Sequence, residues 1–98
     1  MKLDTLLRTI EARPELFVGN DGIRGLRHFL CGYIMSEKEH LPTYQDWLFS
    51  DFTVFLSEKY KDCRSLDWAS LIEENEADCN LIERFFSLIH EFKSTSNV

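Results

Sequence analysis

Apolar residues in this chain recur at the spacing of an α-helix and almost nowhere at the spacing of a strand, a pattern that confines it to a helical fold. The clearest run is Ile23, Leu26, Phe29, Leu30, Tyr33 and Ile34. These fall at i, i+3, i+6, i+7, i+10 and i+11 and form one continuous face. No segment alternates cleanly in period two, and no Asn-Gly hairpin signature is present. The best strand candidate, Leu16 to Val18, has no evident partner. With 98 residues there is material for one domain. The expectation is therefore a single all-α domain over residues 1–98, of about five helices. Its core must be rich in aromatic rings, because eight Phe and two Trp have to be placed.

The boundaries follow from local chemistry. Asp4 reads as the N-cap of a first helix ending near Glu11 or Ala12, with Leu3, Leu6, Leu7 and Ile10 as its stripe. Pro14 disfavours helical geometry at Arg13, so residues 13–19 read as a connection whose apolar residues tuck inward. The second helix follows Asn20-Asp21-Gly22 and ends near Ser36, before a polar loop from Glu37 to Thr43. Gly25 and Gly32 lie inside it, each costing up to about 1 kcal/mol against alanine. Such a cost predicts close packing against both. A third helix runs from Tyr44 or Asp46 to Lys61, a fourth from Ser65 to Glu74, and a fifth from Glu76 to Phe92 or Lys93. Residues 94–98 read as a frayed tail.

Charge narrows the function classes. The formal net charge is −6, which argues against direct nucleic-acid binding and against docking on anionic lipid. The surplus is uneven. Residues 1–36 carry four acids and five bases, whereas residues 37–98 carry thirteen acids and six bases. No apolar run approaches the roughly 20 residues of a membrane span, and Asp4 comes too early for a signal peptide. Three cysteines, Cys31, Cys63 and Cys79, are an odd number that suits a reducing cytoplasm better than a disulfide framework.

Catalytic and metal motifs are absent from the sequence. His28 and Cys31 stand i, i+3 on one helix, but two ligands do not make a zinc site. The pairs Asp46/Asp51 and Glu73/Glu74 have nothing around them to build a pocket. The expectation is a non-enzyme with no cofactor and no metal. The run Ile10 to Gly19 resembles the Arg-Pro-Gly-Met-Tyr-Ile-Gly segment of gyrase-type ATPase domains. The residues that such domains need on the next helix are missing, since Phe29 to Ser36 supply neither an acid nor an asparagine.

Two stretches suit a protein partner. Trp47, Asp51, Val54 and Glu58 recur at i, i+4, i+7 and i+11, within about 60° of one another on an ideal helix. An aromatic and an aliphatic residue among carboxylates has the composition of a hot spot facing a basic surface. The alternative is that Trp47 and Val54 sit at the core edge beside merely solvated acids. The second stretch, Glu73-Glu74-Asn75-Glu76-Ala77-Asp78, reads either as a cap for the last helix or as a charge that steers a cationic partner.

The chain resembles small bacterial immunity proteins. The resemblance is carried by Arg13-Pro14-Glu15-Leu16-Phe17-Val18-Gly19, by residues Leu26 to Tyr33, by Phe52 to Tyr60, by Ser65 to Ile72 and by Phe85 to Phe92. Members of such families neutralise a cognate toxin, often a nuclease, in polymorphic toxin and contact-dependent growth inhibition systems. The resemblance implies a cytoplasmic, stoichiometric inhibitor that covers the toxin's cationic cleft with carboxylates. Its contact set would be Trp47, Asp51, Glu58, Glu73, Glu74, Glu76 and Asp78. The competing expectation is a small regulatory or scaffold module with an apolar homodimer or partner interface through Trp68, Phe86 or other aromatics.

Overall fold

A computed structural model describes residues 2–18, 21–76 and 80–96, with only the backbone of Ser96. Among these residues all regular structure is helical: six α-helices and one π-helical turn. Two compact units divide the chain, Met1–Asp46 and Trp47–Val98.

In the first unit, α1 (Leu3–Ala12) buries Leu3, Leu6, Leu7 and Ile10, the stripe its periodicity specifies. Its N-cap is Lys2, and Asp4 lies within the first turn, where a carboxylate still suits the helix dipole. Pro14 ends α1 and also begins the next helix. Its fixed φ fits a first helical position, and its carbonyl accepts the N–H groups of Phe17 and Val18, each at 3.0 Å. The strand candidate is thus the four-residue helix α2 (Glu15–Val18). α3 (Gly22–His40) buries Ile23, Leu26, Leu30 and Ile34. It continues past Ser36 through the expected loop, because Glu37, Lys38 and Glu39 are good helix formers. It stops at Leu41, whose extended backbone (φ −140°) precedes Pro42.

The two glycines of α3 differ. A Cβ on Gly25 would lie 2.5 Å from the Val18 carbonyl oxygen and 3.1 Å from Asp21 Cβ. Gly25 is what lets the end of α2 lie against α3. At Gly32 an added Cβ would meet nothing within 4 Å, so the close packing expected there does not occur among the described residues.

The second unit is built on rings. Phe52 is fully buried, with ring centroids of Phe92 at 5.5 Å, Phe85 at 6.1 Å, Phe55 at 6.3 Å and Trp47 at 6.4 Å. Trp68 stacks on Phe85 at 4.6 Å, and Phe49 meets its edge at 5.7 Å. The expected aromatic core is therefore present. Trp68 Nε1 is buried without a hydrogen-bond partner among the described residues, which shows that ring packing took precedence over polar satisfaction here.

The third helix departs from expectation at its start. Residues 44–47 are non-helical, and Leu48–Phe52 form a π-helical turn closed by the Phe52 N–H to the Trp47 carbonyl at 2.9 Å. The extra residue lets Phe49 reach Trp68 while Phe52 reaches Phe85. Thr53 Oγ1 donates to the Leu48 carbonyl at 3.1 Å, satisfying an acceptor in the irregular turn. α4 (Thr53–Tyr60) follows and ends on Lys61 in the left-handed region (φ 52°). The Asp62 N–H reaches back to the Ser57 carbonyl at 3.0 Å, a Schellman closure made without glycine.

α5 (Trp68–Asn75) starts three residues later than Ser65. Asp67 is its N-cap, accepting the Ser70 N–H at 2.9 Å, while Ser65 itself has a left-handed φ of 61°. α6 (Leu81–Ser96) starts well after Glu76. Asn80 Oδ1 accepts the N–H groups of Ile82 and Glu83 at 3.1 and 3.2 Å, so asparagine and not the acidic run supplies the side-chain cap. The last helix also continues through Ser94 to Ser96, past the point where the sequence suggested its end. Ala77, Asp78 and Cys79 lie outside the described residues, as do Gly19 and Asn20 before α3.

Candidate functional site

The π turn interrupts the stripe that sequence spacing drew through Trp47, Asp51, Val54 and Glu58. One residue more per turn rotates Trp47 off the face that the other three share. Trp47 is half-buried instead, stacked on Phe92 at 5.6 Å. Lys93 Nζ sits 4.2 Å from the centre of its ring, a cation–π contact that covers the outer side. The core-edge alternative therefore describes Trp47. Asp51, Val54 and Glu58 remain exposed, Val54 at 55%. Neither carboxylate has a side-chain partner among the described residues. One apolar side chain is thus flanked by two uncommitted carboxylates on the π turn and α4.

The acidic run behaves differently, because distant residues draw on its charge. Glu74 Oε1 accepts from Arg64 Nη1 at 2.9 Å. Glu76 Oε2 accepts the Tyr60 hydroxyl at 2.7 Å, and Glu76 Oε1 pairs with Arg84 Nε at 3.2 Å. Glu76 also closes α5, its N–H reaching the Ile72 carbonyl at 2.8 Å. Glu73 is half-buried and has neighbours of its own. Asp78 lies outside the described residues. Of the four acids, Glu74 and Glu76 are held within the second unit. These pairings were invisible in sequence, because Tyr60, Arg64 and Arg84 stand 8 to 16 positions away.

Arg64 organises this end of the unit. Its Nη2 lies 2.7 Å from Asp62 Oδ2 and its Nε 3.0 Å from Oδ1, while its backbone N–H also donates to Oδ1. These hydrogen bonds hold the Asp62 carboxyl well below the usual carboxylate range. Burial, then the hydrogen bond to Glu76, pushes the Tyr60 phenol well above its ordinary value. In the first unit, burial and then the nearby Tyr33, Glu37, Asp46 and Asp4 push Tyr44 up to about 12. Asp46 is committed too, 3.2 Å from Lys38 Nζ.

These shifts predict an alkaline signature. A phenol whose folded pKa is raised stabilises the fold fully below its unfolded value of 10.0. That stability is lost as pH rises through the folded value. Ultraviolet titration of the native protein should show phenolate appearing late, with unfolding as it appears. Tyr60→Phe should reduce the loss of stability above pH 10, and an unchanged loss would contradict the assignment to Tyr60.

Among the described residues no group of three or more His, Cys, Asp or Glu is placed to hold a metal. His28 Nε2 instead lies 3.0 Å from an Arg27 nitrogen, and Cys31 Sγ lies 4.0 Å from Met35 Sδ. The apolar interface expected through Trp68 and Phe86 is not available, because both are buried. Among the described residues the exposed large apolar side chains are Leu16, Phe29, Met35, Leu41 and Val54. Among the described residues no helix is long and apolar enough to cross a membrane. No family model, curated protein or solved structure matches the chain.

Proposed function

We propose that the chain is an immunity protein, a cytoplasmic and stoichiometric inhibitor of a basic toxin domain, and that it is not an enzyme. The observation that carries this reading is the exposed face of Asp51, Val54 and Glu58. A buriable aliphatic side chain between two unpaired carboxylates suits a surface rich in Lys and Arg. Such a face imitates the charge that a nuclease cleft receives from phosphates. The resemblance across residues 13–19, 26–33, 52–60, 65–72 and 85–92 supports the same reading. Trp47 drops out of the contact set, since Phe92 and Lys93 cover it. Glu74 and Glu76 contribute through the field of the second unit, because their carboxylates are already hydrogen-bonded.

The test is growth. If the reading frame beside this chain's own encodes a toxin-like protein, the C-terminal domain of that protein is expressed alone and together with the chain. The chain should relieve the growth arrest and co-purify with the domain at one-to-one stoichiometry. Arrest that persists with the chain at equal or higher level contradicts the proposal.

A second reading, a non-enzymatic module with an apolar interface, is favoured by a different observation: Phe29 and Met35 of α3 are exposed on one face.

A further inference from the structure

Two sulfur atoms meet on α3. Cys31 Sγ and Met35 Sδ stand 4.0 Å apart, one helical turn from each other at i and i+4. Met35 is 65% exposed, yet its thioether turns back to the cysteine. Cys31 is half-buried and its thiol is free of any disulfide. The helix beside the pair is bare. Gly32 lies between the two in sequence, and a Cβ built on it would meet nothing within 4 Å.

The separation of the sulfurs is chemically specific. A metal–sulfur bond is about 2.3 Å long. An ion bonded to both sulfurs across 4.0 Å therefore subtends an angle of about 120°, the trigonal value. The donors select the ion. Zinc draws on Cys, His, Asp and Glu and wants four ligands in a structural site, and among the described residues no three of these types are grouped to hold a metal. Thioether sulfur stands outside that set. A thiolate with a thioether is a soft pair, and soft pairs favour Cu(I). His28, one turn before Cys31, is a further donor by position. Its Nε2 lies 3.0 Å from Arg27 Nη2. Arginine has no acceptor, so Nε2 is the acceptor of that contact and its lone pair is already used.

We propose that Cys31 and Met35 form a site for a soft monovalent metal ion, Cu(I), with the third trigonal position left open. On binding, the thiol proton leaves to solvent, and the thiolate neutralises the single charge of the ion. The site therefore needs no carboxylate. The open position and the exposure of Met35 make it a site that exchanges its ion, unlike a closed structural centre. It lies within the first unit and does not rest on toxin inhibition by the acidic face of α4.

Competition for Cu(I) against bicinchoninate, in anaerobic ascorbate, tests this. The full chain carrying Cys63→Ser and Cys79→Ser keeps Cys31 as its one thiol. It should take up one equivalent of Cu(I), and adding Cys31→Ser should abolish the uptake. Met35→Leu in the same background should keep the helix by circular dichroism, since leucine is a good helix former. It should nevertheless weaken Cu(I) binding by about tenfold or more, at least what loss of a group behind a ligand costs. A site made by the thiol alone would not respond to that change. With Ag(I) as an oxidation-resistant substitute, one equivalent should shift the methyl resonance of Met35. No uptake of Cu(I), an affinity indifferent to Met35→Leu, or an unmoved Met35 resonance would overturn the proposal. None of these outcomes bears on toxin inhibition.

Discussion

Phe52→Ala is expected to lose about 3–5 kcal/mol of folding free energy, the largest effect of the substitutions considered. The ring is fully buried and touches four others contributed by the segment before the π turn, by α4 and by α6. Truncation removes the transfer energy of the ring and leaves a cavity among aromatic neighbours that cannot collapse into it. Stability of a chain this size is of order 5–15 kcal/mol, so the variant approaches the point of unfolding at ambient temperature. Urea denaturation followed by circular dichroism measures the loss. Phe52→Leu keeps an apolar filling and should fall between wild type and Phe52→Ala. Val54→Ala, two positions on and largely exposed, should stay within about 0.5 kcal/mol of wild type. A loss below about 1 kcal/mol for Phe52→Ala would mean that the ring cluster does not hold this unit together.

The same substitution at two glycines of α3 should have opposite signs. Gly25→Ala gains helix propensity of about 1 kcal/mol but forces a methyl to 2.5 Å from the Val18 carbonyl oxygen. That oxygen is backbone, so α2 has to shift from α3, at a cost of about 1–3 kcal/mol from overpacking. A net destabilisation is expected. Gly32→Ala meets no atom and should stabilise by about 0.5–1 kcal/mol. Denaturation midpoints measured at low micromolar concentration separate the two. Stabilisation by both would show that α2 does not pack on α3 as described.

Much of the fold is legible in the sequence because buried stripes follow the helical period. Leu3, Leu6, Leu7 and Ile10 are buried as their spacing demands, and so are Ile23, Leu26, Leu30 and Ile34, whereas Phe29 and Tyr33 of the same expected face lie at its edge, Phe29 36% exposed. The failures come where two physical rules compete. Pro14 announces the end of one helix and equally permits the start of the next, and only the hydrogen bonds to its carbonyl show that both happen. Glu37 to His40 look like a polar loop by hydropathy but are helix formers with no breaker before Pro42. The π turn has no sequence marker, since it follows from fitting Phe49 and Phe52 to different ring neighbours. Ser65 and Glu76 are plausible caps, but Asp67 and Asn80 hold the geometry. The site is less legible than the fold. A run of acids reads as free charge until the positions of Tyr60, Arg64 and Arg84 are known. Asp51 and Glu58, by contrast, look free in the sequence, and in the structure they are exposed and make no side-chain hydrogen bond or ion pair among the described residues.

The most direct test of the acidic face is the association rate with the toxin domain whose growth arrest the chain relieves, measured by stopped flow as ionic strength is raised. Steering by Asp51 and Glu58 predicts a wild-type rate that falls by about tenfold or more from low to high salt. In the Asp51→Lys/Glu58→Lys variant the rate should be slow at low salt and nearly independent of ionic strength. A tight complex whose association rate ignores both salt and this double reversal would contradict the account.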